Sequence, residues 1–318
     1  MDPVLPDEAV ELAEAAGKAF AALGGVDLAR RAEADAGVRR AEVVPVLAAL
    51  GVDDLDPRRD PVSLAAAAAL CEAAGRVALP HPLAADLVRD DDGRPTAAVP
   101  AEVPRVDHAD LIDGWRVGTL DGTAGGIATA AARGLGTRLG PFVGDLTMEG
   151  DGRPPLVDLL LHQVLVAWTV LGTLDRAVAL TVEHVSGRVQ FGKPIAAFQA
   201  VQFQLADAAV AVAGLRELAG FTLWRLDQAG EQSRADVLAL RLHALETARA
   251  VLRTGQQLHG AAGVCDEYDV SVLVRMVQPA LRLPAGVDRT AAELAEAIAA
   301  DGFVGLFDHG GAAIGAAR

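Results

Sequence analysis

Apolar side chains recur at helical spacing along most of the second half of the chain. In the stretch from Pro194 to Gln228 they fall three or four positions apart, which places them on one face of a helix. These positions are Phe198, Val201, Leu205, Ala208, Val212, Leu215 and Ala219. Pro194 is expected in the first turn of this helix, and Gly230 just after its last turn.

Three further stretches of this half show comparable patterns. The predicted helices run from Leu156 to about His184, from Pro194 to Gln228, from Ala235 to about Leu258 and from about Thr290 to Ala300. Long neighbouring helices with one apolar face each pack as a bundle. The pattern therefore predicts a C-terminal four-helix bundle.

The first half of the chain divides into two stretches of different character. From Asp7 to about Ala78 it is rich in Ala, Leu and Glu, which predicts several helices. From Pro80 to Pro155 Gly, Pro and Asp become frequent, and pieces such as TAAVPAEV and GWRVGTLDG predict short strands joined by turns. We predict a mainly α protein with an N-terminal helical domain at 1–80, a reduced β middle domain at 81–154 and the C-terminal helical bundle at 155–318.

Composition and charge exclude some partners. The 318 residues are 52% apolar but only 4% aromatic, so the core is expected to consist mainly of Ala, Leu and Val. A net charge of −15 argues against nucleic acid and against an anionic membrane surface, since both attract clusters of Lys and Arg. Cys71 and Cys265 lie far apart and outside any metal-ligand spacing, so we predict no metal site.

Two features of the sequence bear on the cellular location of the protein and on whether it spans a membrane. The first residues, MDPVLPDEAVELAEAAG, carry acidic residues where a secretory signal carries basic ones, so we expect a cytoplasmic protein. The stretch from Leu156 to Leu174 is strongly apolar, but Asp158, His162 and Gln163 interrupt it. We interpret it as a buried helix rather than a membrane span.

Two short motifs carry the candidate chemistry. Residues 187–199 read GRVQFGKPIAAFQ, and residues 257–263 read QLHGAAG. Arg188 offers a fork of donors suited to a diphosphate, Phe191 a flat face for an adenine ring, and Gly192 a tight backbone turn. The structural alternatives are that Arg188 caps the preceding helix, that Phe191 lies in the core, and that the second motif is a simple glycine C-cap.

In order, spacing and helical context the two motifs resemble the signatures of the acyl-CoA dehydrogenases. Members of this family have an α-helical N-terminal domain, a β middle domain and a C-terminal four-helix bundle, and they use FAD to oxidise acyl-CoA thioesters to 2-enoyl-CoA. In the N-terminal part, the segment LCEAAGRVALPHP is similar to the family's Glu-Xaa-Xaa-Gly-Arg segment. The resemblance implies that residues of both motifs bind the adenosine diphosphate half of a neighbouring subunit's FAD; carried over, these are Arg188, Gln190, Phe191, Gln257 and Gly260.

One departure from the family concerns the catalytic base. Removal of an α-proton from a thioester needs a carboxylate beside the reacting carbon, and the family places a glutamate shortly beyond the arginine that corresponds to Arg275. Here that place reads LRLPAG, at residues 281–286, and no glutamate lies between Glu267 and Glu293. Some relatives carry the base on the helix before the first motif, but here no glutamate lies between Glu149 and Glu183. We therefore predict no catalytic residue in this chain.

Asp158 and His162 are the possible substitutes on that helix. Four positions apart, they share one face, so a carboxylate–imidazole dyad is one hypothesis. The alternative is a structural role at the start of the helix or at a subunit interface.

The stretch between Pro80 and Pro155 shows no convincing version of the loops that hold the family's flavin ring. Retained binding motifs without a base or a flavin-ring site resemble the shorter, non-catalytic subunit of actinobacterial α2β2 acyl-CoA dehydrogenases of sterol and lipid degradation. This resemblance implies an FAD shared with a catalytic partner that also binds most of the acyl-CoA. A self-sufficient flavoenzyme with an unusual base and a flavin-free helical scaffold protein are the two alternatives.

Overall fold

The computed structural model describes residues 5–131 and 139–300. Residues 132–138 of the predicted middle domain and residues 301–318 of the predicted bundle lie outside the described residues. The N-terminal part is helical: α1 (Asp7–Ala22), α2 (Val26–Ala34), α3 (Val44–Ala49), α4 (Pro61–Arg76) and α5 (Leu83–Asp86) follow one another, with a π-helical turn at Arg39–Val43 and a 3₁₀ turn at Val52–Asp54. Asp60 starts α4 by accepting a hydrogen bond from the Ser63 N–H at 2.7 Å.

Five short strands follow α5. They are β1 (Thr96–Ala98), β2 (Arg105–Val106), β3 (Trp115–Gly118), β4 (Gly125–Ala130) and β5 (Gly144–Gly150), in the sheet order β1-β3-β4-β5-β2. The β1–β3 pair is parallel and the other three pairs are antiparallel. Trp115 is fully buried at the centre of the small separate core of this sheet, which includes Val106, Val117 and Ala128.

The C-terminal part consists mainly of long helices. It contains α6 (Leu156–Gly187), the hairpin strands β6 (Val189–Gln190) and β7 (Lys193–Pro194), and α7 (Gln199–Ala229), α8 (Arg234–His259), α9 (Asp269–Met276), α10 (Gln278–Arg282) and α11 (Val287–Ala300). Helices α6, α7 and α8 pack on one another, and α11 packs on α8. The prediction of a mainly α protein with a small β region and a C-terminal helical bundle is confirmed.

Helix α7 departs from its predicted start. Pro194 does not lie in its first turn, because β7 pairs with β6 and the Ile195 N–H donates to the Arg188 carbonyl at 2.8 Å, which closes a hairpin loop. The helix begins only at Gln199, after a 3₁₀ turn. Its predicted end is confirmed, since Gly230 has a φ of +52° and caps the last turn.

Helices α4 and α6 cross at close range through two glycines. A Cβ on Gly75 would lie 2.0 Å from the Thr169 carbonyl oxygen, and one on Gly172 would lie 2.0 Å from that of Glu72. Only glycine permits this approach, because any side chain at either position would overlap backbone atoms. The crossing joins the N-terminal helices to the bundle.

Helix α6 has the length and apolar character of a membrane span, but its most apolar 18-residue window is 78% buried inside the protein. Its interior faces contact α4, α7 and α8. Within the described chain the structure supports the interpretation of this stretch as a core helix.

Candidate functional site

The first motif forms a hairpin at the end of α6. Arg188 occupies the C-cap position, and its N–H donates to the His184 carbonyl at 2.9 Å. The turn between β6 and β7 consists of Phe191, with φ +52°, and Gly192, with φ +80°. Left-handed backbone at two successive residues is the geometry of a tight two-residue hairpin turn.

This turn projects its side chains outward. Phe191 is 91% exposed, and its ring makes only an edge contact with Phe198 at a centroid distance of 6.2 Å. The structural alternative that placed Phe191 in the core is therefore wrong. Gln190 is also exposed, and the Lys193 Nζ lies 4.3 Å above the Phe198 ring.

The second motif forms the C-terminal cap of α8. Gly260 has a φ of +62°, and its N–H donates to the Gln257 carbonyl. Gly263 packs against the backbone of Gln256, where a Cβ would come within 2.5 Å of a carbonyl oxygen. Gln257 itself is exposed. The motif is thus a glycine cap, as the structural alternative held, and it also leaves the Gln257 side chain free for a ligand.

Stacked rings join the two motifs at one end of the bundle. His184, one turn before Arg188, stacks on His259, two residues after Gln257, with ring centroids 4.3 Å apart. Tyr268 makes edge contacts with both rings, at 6.3 and 6.5 Å. The His259 Nδ1–H donates to the Gly255 carbonyl at 2.7 Å, which fixes the orientation of this ring. We call the exposed group Arg188, Gln190, Phe191, Gln257 and Gly260 the clamp edge.

The ring cluster that supports the clamp edge was missed from the sequence. His184, His259 and Tyr268 stand beside the motifs, but neither helical periodicity nor motif spacing indicates that their rings meet across two helices. Partial burial, His259 and the positive charge of Arg188 together lower the pKa of His184. This shift favours the neutral form of the ring beside the Arg188 cation.

The clamp edge has the chemistry to hold an adenosine diphosphate group. The Arg188 guanidinium is exposed and forms no ion pair with any described residue. A Cβ on Gly192 or Gly260 would meet nothing within 4 Å, so the surface beside both turns is open. An unpaired guanidinium, an exposed aromatic face and an exposed amide fit a diphosphate and a purine. The residues present therefore fit this half of FAD.

The start of α6 is different. Asp158 and His162 lie on the same buried turn, but each has other partners. The Asp158 carboxylate faces the guanidinium groups of Arg58 at 3.5 Å and Arg116 at 3.7 Å. The His162 Nδ1 accepts a hydrogen bond from the Ala98 N–H at 3.3 Å. The structure thus does not join the two side chains in a dyad.

Burial dominates the ionisation of both groups. It raises the pKa of Asp158, although the two arginines oppose the shift. It also lowers the pKa of His162 to about 3, with the nearby charge of Arg241 acting in the same direction. The imidazole is therefore neutral throughout the physiological range and joins β1 to α6.

The segment in which the family carries its glutamate is held by a buried arginine. Arg241 donates to the Leu283 carbonyl at 2.8 Å and to the Gln163 side-chain oxygen at 2.9 Å. Burial lowers the pKa of this guanidinium to about 10, so it remains charged. Residues 281–286 thus contribute backbone carbonyls and mainly apolar side chains beside α6.

Comparison with known proteins gives a family for the C-terminal part. Residues 158–297 match the family model of the acyl-CoA dehydrogenase C-terminal domain. The chain is 35% identical to acryloyl-CoA reductase (NADH) of Anaerotignum propionicum over 136 residues, which cover 42% of this chain and 34% of that protein. It is 30% identical to acyl-CoA dehydrogenase IpdE2 of Mycobacterium tuberculosis over 120 residues, 38% of this chain and 36% of that one. The matched region thus spans about a third of the length of these relatives.

Solved structures extend the likeness to the whole fold. The ChsE4-ChsE5 complex from Mycobacterium tuberculosis contains a chain that superimposes with a TM-score of 0.74 at 19% identity, covering 94% of this chain and 99% of that one. For the Tcur3481-Tcur3483 steroid ACAD G363A variant the TM-score is 0.77 at 20% identity, over 94% and 100% of the two chains. At such identity the likeness establishes the fold. The chain has the acyl-CoA dehydrogenase fold, and residues 158–297 are similar to the C-terminal domain of that family.

Proposed function

We propose that this chain is a subunit of a heteromeric, FAD-dependent acyl-CoA dehydrogenase and that its clamp edge binds the adenosine diphosphate half of an FAD held by a catalytic partner. When bound, FAD accepts the hydride during the α,β-desaturation of an acyl-CoA thioester. The contribution of this chain is to hold and orient the cofactor from the far side of a subunit interface.

The placement of both motifs at one exposed end of the bundle carries this proposal. The stacked pair His184 and His259 fixes the ends of α6 and α8 beside one another, so Arg188 and Gln257 act on one ligand. Arg188 supplies charge-assisted hydrogen bonds to the diphosphate, and Phe191 supplies the stacking face for adenine. The Phe191 ring is 91% exposed in the isolated chain, and at the proposed interface it would stack on the adenine ring.

A separate catalytic partner follows from the missing base. No glutamate occurs between Glu267 and Glu293, and Arg241 holds the corresponding segment by its backbone. Proton abstraction therefore falls to a partner subunit, which also binds most of the acyl-CoA. The solved neighbours of similar fold include two-component complexes, which supports a heteromer, and we propose α2β2 stoichiometry.

The substrate class is a further part of the proposal. One neighbour of the same fold is described as a steroid acyl-CoA dehydrogenase, which favours an acyl-CoA derived from a sterol side chain or ring. We accordingly propose a role in lipid degradation in the cytoplasm.

Substitution of Arg188 by alanine tests the clamp. In the purified complex we expect FAD to bind more weakly by about 1.5–3 kcal/mol, the usual contribution of a charged hydrogen bond, or roughly 10- to 150-fold in Kd. Flavin occupancy after dialysis and the Kd from flavin fluorescence provide the measurement.

Arg59→Ala is the matched control, because Arg59 is an exposed arginine in the N-terminal part whose guanidinium donates to the Asp54 carbonyl. This variant should retain the wild-type occupancy. An Arg188→Ala complex that keeps its full flavin content and wild-type Kd would refute the clamp assignment.

A further inference from the structure

A groove lies between helices α4 and α7, and it is also lined by α6 and by the segment before α1. Its volume is about 290 Å³. Most of its wall is apolar and is formed by side chains that include Pro6, Pro61, Leu64, Trp168, Leu223 and Trp224. We call it the α4–α7 groove. None of its lining residues belongs to the clamp edge, so the proposed FAD role does not explain it.

The buried wall of this groove contains a hydrogen-bond donor without a partner. Trp168 is only 2% exposed, and its Nε1–H has no hydrogen-bond partner within the described chain. The indole nitrogen can only donate, and buried donors are nearly always satisfied. A ligand in the groove that presents an acceptor oxygen, such as a carbonyl, would complete it.

One face of α7 supplies two carboxylates and two aromatic rings to the groove. Glu217, Phe221, Trp224 and Asp227 follow one another at spacings of four, three and three residues, so they lie on one face of the helix. The Phe221 and Trp224 ring centroids are 5.9 Å apart, and Trp224 is 38% exposed. Gly220 also lines the groove, and a Cβ there would meet nothing within 4 Å. This face thus offers an open aromatic surface between two acidic groups.

The charges around the groove favour a cationic ligand. Glu217 and Asp227 are exposed, and neither forms an ion pair with a described residue. Arg216, the one cation among the described residues of the groove wall, already pairs with Glu72 at 2.9 Å and with Asp175 at 2.5 Å. Its charge is therefore matched, whereas the two carboxylates on α7 have no counter-ion. A guanidinium group suits such a place, because it stacks on an indole ring and pairs with a carboxylate.

From these contacts we propose that the α4–α7 groove binds an arginine-bearing peptide segment of another protein, whose guanidinium group stacks on Trp224 beside Asp227 while a backbone carbonyl accepts a hydrogen bond from Trp168 Nε1. An arginine residue in a peptide carries both of the required groups, a planar cation and an acceptor oxygen. The site is separate from the clamp edge and does not depend on the proposed FAD role.

The test compares two terminally blocked tripeptides, Gly-Arg-Gly and Gly-citrulline-Gly. Citrulline has nearly the shape of arginine but carries no charge. Ligand-observed NMR titrations of the full chain should give saturable binding of the arginine peptide. The citrulline peptide should bind roughly 5- to 30-fold more weakly, which is the loss expected for a cation–π contact in a partly desolvated groove.

Three substitutions in the groove test the individual contacts. Trp168→Phe keeps an aromatic ring and removes the donor, so we expect a roughly 3- to 10-fold rise in the Kd for the arginine peptide. Asp227→Asn keeps the size of the side chain and removes its charge, with an expected rise of roughly 2- to 5-fold. Gly220→Leu fills the groove from the surface of α7 and should abolish binding, even if the Trp168 variant folds poorly.

Each polar substitution has a matched control elsewhere in the chain. Trp115→Phe makes the same change as Trp168→Phe at a buried indole whose Nε1 also lacks a partner within the described residues, but which lies in the core of the sheet. Glu246→Gln removes an exposed carboxylate of α8 outside the groove. Both controls should retain the wild-type Kd.

Several results would overturn the proposal. Absence of saturable binding, or equal Kd values for the two tripeptides, would refute the arginine ligand, and binding that survives Gly220→Leu would refute the location. Methylguanidinium binding as tightly as the arginine peptide, or a wild-type Kd in Trp168→Phe, would refute the contact with a peptide carbonyl. Arg188→Ala should leave the Kd for the arginine peptide unchanged, so failure of this proposal is distinguishable from failure of the clamp.

Discussion

The polar residues at the two ends of helix α6 differ in burial and in the partners that they find within the chain. At its start, Asp158 and His162 are buried, and each finds partners within the described chain: two arginines for the carboxylate and a backbone N–H for the imidazole. At its other end, Arg188 and Phe191 are exposed, and the Arg188 guanidinium has no ion pair in the described chain. Helix α6 connects the two groups, the first at its start and the second directly after its end.

This difference distinguishes polar residues whose partners lie within the fold from polar residues that remain open to solvent. A buried charge without partners is costly, so the groups at the start of α6 are satisfied internally. The clamp edge incurs no such cost because its polar groups are exposed to water. Polar residues in a buried helix therefore need not be catalytic, and an exposed aromatic ring near an unpaired cation is the stronger sign of a binding site.

The largest expected effect comes from the crossing that holds both ends in place. Gly172→Ala puts a Cβ about 2.0 Å from the Glu72 carbonyl oxygen, so α4 and α6 must move apart. We expect a loss of about 3 kcal/mol or more in the free energy of unfolding, at the upper end of overpacking costs. Chemical denaturation monitored by circular dichroism measures it.

Gly187→Ala is the control on the same helix, since a Cβ there would meet nothing within 4 Å. Its denaturation midpoint should stay the same or rise slightly, because alanine favours helix over glycine. Equal midpoints for the two variants would contradict the close crossing.

Acidification should reduce the contribution of His162, at the buried start of α6, to the free energy of unfolding. The pKa of His162 lies near 3 in the folded chain, below its ordinary value of 6.5, so the unfolded chain takes up a proton first as the pH falls. The stability from this group is full above pH 6.5 and is lost between about pH 6.5 and 3, with a loss of about 2 kcal/mol by pH 5.

His162→Gln keeps an acceptor for the Ala98 N–H but cannot titrate. Urea denaturation at pH 7, 6 and 5 should show a flatter fall in the free energy of unfolding for this variant than for the wild type. Parallel pH dependences of the two proteins would show that the His162 ring is not buried as described.

The smallest expected effect on stability is at the exposed end. Phe191→Ala should change the free energy of unfolding by less than about 0.5 kcal/mol, while weakening FAD in the complex by about 1 kcal/mol through lost stacking. Phe20→Ala is the buried comparison, fully enclosed by the N-terminal helices, and should cost about 3–5 kcal/mol in stability. A large destabilisation by Phe191→Ala would mean that this ring packs within the chain.

Sequence reasoning predicted the long helices well because their apolar periodicity is continuous over many turns. It misplaced the start of α7 because the hairpin at Pro194 depends on pairing between residues on either side of a turn, which periodicity does not report. The residues of the clamp edge could be proposed from the sequence because they are close to one another within each motif. The ring cluster of His184, His259 and Tyr268 was not, since it forms only when the ends of α6 and α8 meet.

The visible flavin spectrum tests the central claim most directly, measured on this chain purified alone and again after co-expression with a candidate catalytic acyl-CoA dehydrogenase. We expect flavin only in the co-purified complex, at fewer than one per chain, because the clamp edge supplies half of a site. A yellow protein purified alone, whose flavin is bleached by an acyl-CoA, would contradict the account and identify this chain as a self-sufficient enzyme.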